Sequence, residues 1–435
     1  MNFGILVLLA ALLLFGLLAF KQINALILAP LVTIFVIVCS GMPILDSLKT
    51  MFMPAASDYV TSYFLTFFVG ALFGAVYQHT GAAESISKTL AGLCKGKFVA
   101  PIIMTITGIL TFGGVSGFVV FFVIYPIALN MFKEANLTRR LIPGAISAGC
   151  WTWSMYGPGS PSIQNVIAMN SLGTPSTAAL LPSVVAAVAS YVLIFVWLET
   201  RARNFSKKGI VFNDSSLKFQ LTEAEMAMDD DKDLPSFIVS MAPIVLILVC
   251  FNLVKLPVET AVFAGVALAT ILMWKRVGNL NAWIAVFNEG AANSGVSILN
   301  TAIVVGFGGV VKQTQGFADL VAMLKTFNMP ALVFVMITVA ICAGACGSAS
   351  GGMGVAFNAL TETYLELGAN LEHVHRIAAI AAGTLDSLPH QGAQITLLGI
   401  CKLTHGEAYF DIFVTQIVIP FISCGVFIVL AMMGL

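Results

Sequence analysis

Apolar runs of near-spanning length recur from one end of this 435-residue chain to the other, and that recurrence restricts its fold more than any other feature. They lie at roughly 4–20, 24–40, 62–78, 99–132, 141–171, 177–199, 236–254, 258–274, 290–311, 330–366, 375–402 and 410–434. Charged residues make up only 10% of the chain and hydrophobic ones 59%. An average soluble domain is about a quarter charged, so this chain cannot cover a water-facing surface. The expected fold is an all-α polytopic membrane protein, with the lipid bilayer as its first partner. Its 21 basic and 21 acidic residues cancel, which gives no footing for nucleic acid. The opening "MNFGILVLLAALLLFGLLAF" lacks a basic n-region and a small-x-small cleavage site, so it reads as a retained first span. The eight cysteines lack CxxC spacing. Even Cys342 and Cys346, one helical turn apart, have no His or carboxylate beside them and read as packing residues rather than metal ligands.

Four of the apolar segments are not simple spans. Segments 99–132 and 330–366 are too long for one crossing and too short for two, and each carries a Gly/Ser cluster at its centre. The clusters are "TFGGVSGF" (Thr111–Phe118) and "ACGSASGGMG" (Ala345–Gly354). Glycine permits a tight reversal, so each segment is expected to be a re-entrant hairpin. Segment 141–171 is interrupted by "YGPGSPS" (Tyr156–Ser162), and 375–402 by "DSLPHQGAQIT" (Asp386–Thr396). Pro and Gly in the middle of an apolar run predict helices broken at mid-depth.

Basic residues set the orientation. Lys88, Lys95 and Lys97 precede the first hairpin, Lys133, Arg139 and Arg140 follow it, and "RARNFSKK" (Arg201–Lys208) returns to the same face. That excess marks the face as cytoplasmic, with Lys275, Arg276, Lys402 and His405 also inside. The stretch 201–235, with "MDDDKD" (Met228–Asp233), is expected to be a solvated linker that only joins two halves. "FMPAASDYV" (Phe52–Val60) resembles "FNEGAANSG" (Phe287–Gly295) at an offset of 235, which also aligns Gly74, Gly81 and Glu84 with Gly309, Gly316 and Asp319. Residues 1–200 and 236–435 thus each hold two spans, an amphipathic segment, a span, a hairpin, a broken helix and a closing span. Five crossings per half make the repeat inverted, the architecture of secondary transporters.

In that architecture hairpin tips and helix breaks meet near the midplane. The second half of a broken helix begins with unpaired N–H groups at a positive dipole end, which favours an anion. No Lys or Arg is expected inside a span, so a small organic anion would be held by such N–H groups and by hydroxyls and amides. The candidates are Ser116 at the first tip, Ser160, Ser162, Gln164 and Asn165 at the first break, and Ser348, Ser350, Gln394 and Thr396 in the second half. Asp386 and His390 are ionisable residues at membrane depth, which are expensive and usually functional. They are the candidates for a coupling ion. The structural alternative is that Asp386 caps the second half-helix and His390 bonds backbone. Asp58 and Asn293 read as caps, Glu84 and Asp319 as surface residues, and His79, His373, His375 and His405 as interfacial.

On these same residues the chain resembles the gluconate permease (GntP) family of the ion-transporter superfamily. The matching passages are "YPIALNMFKEANLTRRLIPGAI" (Tyr125–Ile146), "PGSPSIQNVI" (Pro158–Ile167) and "GTLDSLPHQGAQITLLGICKLTHGEAYFDI" (Gly383–Ile412). The resemblance covers nearly the whole chain and leans toward members handling short hydroxy acids such as 3-hydroxybutyrate. It implies uptake of small hydroxylated monocarboxylates with protons through the cytoplasmic (inner) membrane, an elevator-type motion and a homodimer. Sodium-coupled relatives carry Ser-Asn-Thr at both hairpin tips, whereas here the tips read "GGVSGF" and "GSASGGMG". That departure favours a proton over sodium as coupling ion, and no cofactor is expected. The alternatives are a sodium-coupled or exchange carrier of another organic anion and an intramembrane enzyme using Asp386 and His390. The enzyme lacks a positioned nucleophile or metal set and leaves the duplicated hairpins unexplained.

Overall fold

The computed structural model describes residues 2–21, 23–94, 97–112, 117–160, 162–222, 234–254, 256–326 and 328–434. Among them every regular element is helical. The first series is α1 (Phe3–Phe20), α2 (Ala25–Cys39), α3 (Ile44–Thr80), α4 (Ala82–Cys94), α5 (Val99–Phe112), α6 (Gly117–Glu134), α7 (Ile142–Trp151), α8 (Ile163–Leu172) and α9 (Leu180–Lys207). The second is α10 (Phe237–Asn252), α11 (Val258–Leu272), α12 (Leu280–Val311), α13 (Gln315–Leu324), α14 (Ala331–Cys346), α15 (Ala349–Glu366), α16 (Leu371–Leu385), α17 (Gly392–Ile400) and α18 (His405–Met432). Among the described residues six helices, α1, α3, α6, α9, α12 and α18, are long and apolar enough to cross a membrane. The outer ones leave large apolar side chains uncovered, such as Leu13 and Leu17 of α1 and Leu181, Val188 and Val196 of α9. Only lipid or another apolar surface can cover a face of this kind, so the chain is a multi-pass membrane protein.

Two elements differ from expectation. The amphipathic segments preceding 62–78 and 290–311 are not separate pieces: they run straight into α3 and α12. Pro54 would ordinarily break α3, but the π-helical turn Leu48–Phe52 just before it absorbs the lost hydrogen bond. The same device, a π-turn at Val414–Val418 ahead of Pro420, keeps α18 continuous. Asp58 and Asn293 are therefore exposed residues within long helices, not caps. The α3 helix ends instead at Gly81, whose φ of +77° supplies the left-handed cap.

The linker also does more than join. Helix α9 continues through Arg201 to Lys207, and "MDDDKD" lies outside the described residues. The segment between is docked: Phe212 and Leu217 are buried, Asp214 pairs with Arg140 at 2.7 Å, and the Lys218 N–H donates to Glu407 at 2.7 Å. Arg139 donates to the Phe219 carbonyl from within the core. Asp214 lies outside the membrane-spanning segments. Its partial burial raises the carboxyl pKa, but hydrogen bonds from Ser216 and Arg140 outweigh that and hold it below the ordinary range.

Contacts between the two series are reciprocal. Helix α1 packs on α13 as α10 packs on α4, α2 packs on α12 as α11 packs on α3, and α3 crosses α12 at the centre. These eight helices form a wall. Against it lies a second group in which α5 meets α7 as α14 meets α16, while α17 touches α6 and α7 as α8 touches α15 and α16. Each hairpin is two helices packed together, α5 with α6 and α14 with α15. The second turns through Gly347 (φ +60°), and a Cβ added at Gly352 would fall 2.2 Å from the Ala343 Cα, so the limbs are in backbone contact. The first tip, residues 113–116, lies outside the described residues.

Candidate functional site

A cavity of about 390 Å³ lies between the wall and the hairpin group. Four helix N-termini from the hairpins and breaks open onto it, Gly117–Phe118 of α6, Ile163–Gln164 of α8, Ala349–Ser350 of α15 and Gly392–Ala393 of α17, with a fifth, Val258–Glu259 of α11, on the facing wall. Each presents amide N–H groups without intrahelical acceptors and the positive end of a helix dipole. The sequence produces this locally through capping residues. Ser162 accepts from the Asn165 N–H (3.4 Å), Ser348 from the Gly351 N–H (3.2 Å) and Gln391 from the Gln394 N–H (3.2 Å). Each cap satisfies one amide and fixes where its helix starts. Four such ends on one cavity make it a place for an anion.

The expected ligand residues divide in two. Ser162, Gln164, Ser348 and Ser350 line the cavity. Ser160, Asn165, Gln394 and Thr396 are buried and spent on holding the breaks. Ser160 Oγ accepts only a long bond (3.4 Å) from the Ser162 N–H. Asn165 donates to the carbonyls of Met155 (3.2 Å) and Ser160 (3.1 Å), while its Oδ1 accepts from Arg376 (2.9 Å). Gln394 donates to Gln416 Oε1 at 2.8 Å. Thr396 shares a 2.6 Å hydroxyl contact with Thr301 and so ties α17 to α12. Ser116 lies outside the described residues.

Asp386 and His390 meet different surroundings. Asp386 ends α16 on the cavity wall, where it accepts from Ser387 Oγ (3.1 Å) and Gln391 Nε2 (3.3 Å) and faces the Ala349 N–H of α15. Gln391, not Asp386, caps the second half-helix. The His390 ring turns the other way: its Nε2 meets the Gly344 carbonyl at 3.0 Å and it packs against Phe15 and Phe307. Of the two, only Asp386 meets a solvent-reachable space.

Three further expectations are corrected. Arg376 lies within α16, wholly buried, where the chain was expected to hold no cation. It has no carboxylate partner among the described residues; it donates to the carbonyls of Tyr156 (2.5 Å) and Ser176 (3.1 Å) and to Asn165. Such a cation is tolerable only because carbonyl dipoles replace its water. The helix begins at Leu371, earlier than the apolar run, so Arg376 falls in its second turn instead of at its end. His375 and His405 are buried rather than interfacial. His375 sits between Thr174 (2.7 Å) and Asn165 (3.1 Å), and His405 faces the Pro389 carbonyl (3.0 Å).

The opposite wall was missed. Tyr59, Ser62, Tyr63 and Thr66 form one cavity-facing stripe of α3, joined by Glu259 of α11 and Thr301 of α12. Their spacing of three and four is helical, but an isolated stripe of hydroxyl residues in an apolar run says nothing of what it faces.

Helices long and apolar enough to cross a membrane, with discontinuous helices that aim their N-termini at a shared cavity, are the architecture of a transporter. Residues 2–260 match the model for the GntP family permease, and the chain belongs to that family. It is similar to the "Uncharacterized transporter YxjC" of Bacillus subtilis (strain 168), with 32% identity covering 96% of each chain. It also resembles an "Uncharacterized transporter" of Haemophilus influenzae, at 23% identity over 80% of this chain and 79% of that one.

Proposed function

We propose that the chain takes up a small hydroxylated monocarboxylate, such as gluconate or 3-hydroxybutyrate, by proton symport across the cytoplasmic (inner) membrane. The supporting observation is the cavity that joins the helix N-termini of the hairpins and breaks to the carboxylate of Asp386. The N-termini suit the anionic group of the substrate. Asp386 faces the same space and would carry the proton, whereas His390 holds the tip of the second hairpin to the break. Matched contacts between the two helix series support the inverted-repeat reading, in which the hairpin group moves elevator-fashion against the wall in each subunit of a homodimer.

Proteoliposomes test the reading. Labelled gluconate or 3-hydroxybutyrate should accumulate in response to an imposed pH gradient without sodium. Accumulation that follows only a sodium gradient would transfer the coupling to sodium and remove Asp386 from the role of proton carrier.

A further inference from the structure

The α3–α11 wall of the cavity carries a carboxylate that anion binding does not explain. Glu259, in the first turn of α11, is half-buried, and its Oε1 accepts a 2.6 Å hydrogen bond from Thr66 Oγ1. Both residues line the cavity. The second oxygen, Oε2, takes no hydrogen bond from the described residues, and no basic side chain among them pairs with Glu259. Two turns away on the same face of α3, the buried Tyr59 hydroxyl also has no partner among the described residues. A carboxylate beside an anion's path repels it, and the favourable place of Glu259 in the first turn of a helix does not account for that cost at a ligand cavity. The geometry is accounted for if the ligand brings a hydrogen-bond donor to that wall.

We propose that Glu259, oriented by Thr66, recognises a hydroxyl of the substrate and makes the carrier select a hydroxylated carboxylate over the plain carboxylate of equal length. The inference rests on the carboxylate-uptake reading above and assigns the wall residues its selectivity. The two ends of the ligand are then distinguished: the anionic end meets the N–H groups of the breaks, and the hydroxyl donates to Glu259 from the opposite side. Tyr59 supplies a donor for the same hydroxyl or a neighbouring one. A ligand without the hydroxyl leaves Glu259 desolvated and unpaired, and it is this penalty, rather than the added attraction, that discriminates.

The full-length carrier in proteoliposomes tests this by competition. Labelled 3-hydroxybutyrate uptake is competed with unlabelled 3-hydroxybutyrate or butyrate, and labelled gluconate with gluconate or hexanoate. The native protein should favour the hydroxylated member by about tenfold or more, the scale of one hydrogen bond to a charged group. In Glu259→Ala the ratio should fall toward one, with Thr66→Val lowering it by a smaller factor. A ratio that stays at its native value in both variants overturns the proposal while leaving carboxylate uptake intact. Failure of the native protein to take up either labelled acid overturns the carboxylate reading and this inference with it. If Glu259→Ala does not fold, the Thr66→Val ratio decides.

Discussion

The two hairpins meet the wall differently. The first is latched: Phe118, at the start of α6, packs against Tyr59 and Tyr63 (ring centroids 6.3 Å each) and Phe67 (4.5 Å) of α3. Farther along, a Cβ on Gly74 of α3 would lie 2.6 Å from the Phe122 carbonyl, so the helices touch at the backbone. The second hairpin meets α12 through its other limb, α14, where a Cβ on Gly308 would lie 2.5 Å from the Cys346 carbonyl. Its α15 makes no extensive contact with α12 or α13. Nor does α12 offer the rings for such a latch, because 235 positions on from Tyr59, Tyr63 and Phe67 stand Ser294, Ile298 and Ala302. One side of the cavity is thus shut by aromatic packing, while the side along α15 lacks that closure. A carrier that alternates needs two such unequal arrangements, and here the inequality is written into the side chains.

The helix breaks are equally unlike, and breaking them should have the largest effect. The first is held by the buried cation Arg376 and its acceptor Asn165, the second by the neutral Gln416, which accepts from both Ser387 (2.8 Å) and Gln394 (2.8 Å). Arg376→Ala leaves several carbonyls and Asn165 without their donor. It should destabilise the protein by more than a single lost hydrogen bond, since each buried acceptor left unsatisfied costs about 1–3 kcal/mol and several are left. Thermal unfolding in detergent measures it. Gln416→Leu should cost about 1–3 kcal/mol, since only neutral hydrogen bonds are lost. Equal shifts for the two variants would mean that the charge at the first break is of no consequence.

Asp386 belongs to the second break alone. Asp386→Asn keeps a side chain that can still meet Gln391 and the Ala349 N–H but cannot bind and release a proton. Accumulation driven by a pH gradient should fall at least tenfold, while exchange of labelled for unlabelled substrate persists. Unchanged accumulation removes Asp386 from coupling. For the latch, Phe118→Ala should cost about 1–3 kcal/mol, because the ring is only partly buried. Its sharper readout is access. A cysteine placed at Gln164 in the cavity should react with an impermeant thiol reagent from one face in the native background and from both in Phe118→Ala. Labelling confined to one face in both backgrounds would show that the rings do not hold that side closed.

Much of this was legible in the sequence, for reasons that also explain what was not. Membrane class, the reversal at Gly347 and the interruptions between Tyr156 and Ile163 and after Leu385 follow from local chemistry: apolar length, glycine and proline; the earlier stop after Trp151 does not. Gln164 and Ser350 line the cavity, and they could be picked out because one follows a helix break and the other a hairpin turn. Asn165, Gln394 and Thr396 occupy the same stretches, yet one helical position turns a side chain from the cavity into the packing, and composition does not fix that phase. Glu259 and the α3 stripe were beyond reach because their role depends on helices from two separate parts of the chain meeting across a cavity. Arg376 was misplaced by taking the apolar run for the helix itself.

The smallest effect concerns the strap that links the two helix series outside the membrane, where Asp214 meets Arg140 and Ser216. The folded-state pKa of Asp214 lies below its unfolded value, so its contribution is complete above about pH 4, the ordinary aspartate range. It is lost as pH falls through the lowered folded value, when the carboxyl takes up a proton. Protection of the amides in 210–222, after division by the intrinsic exchange rate at each pH, should therefore be high and flat near neutrality and fall in acid. Asp214→Asn should raise exchange there at neutral pH and flatten its response to acid, with no change in α3 or α12. Because the strap is held by Arg140, just ahead of α7, and by Glu407 of α18, its release should leave the unequal closure at the two hairpins as it is. A shift in Gln164 labelling on release would instead couple the strap to the latch.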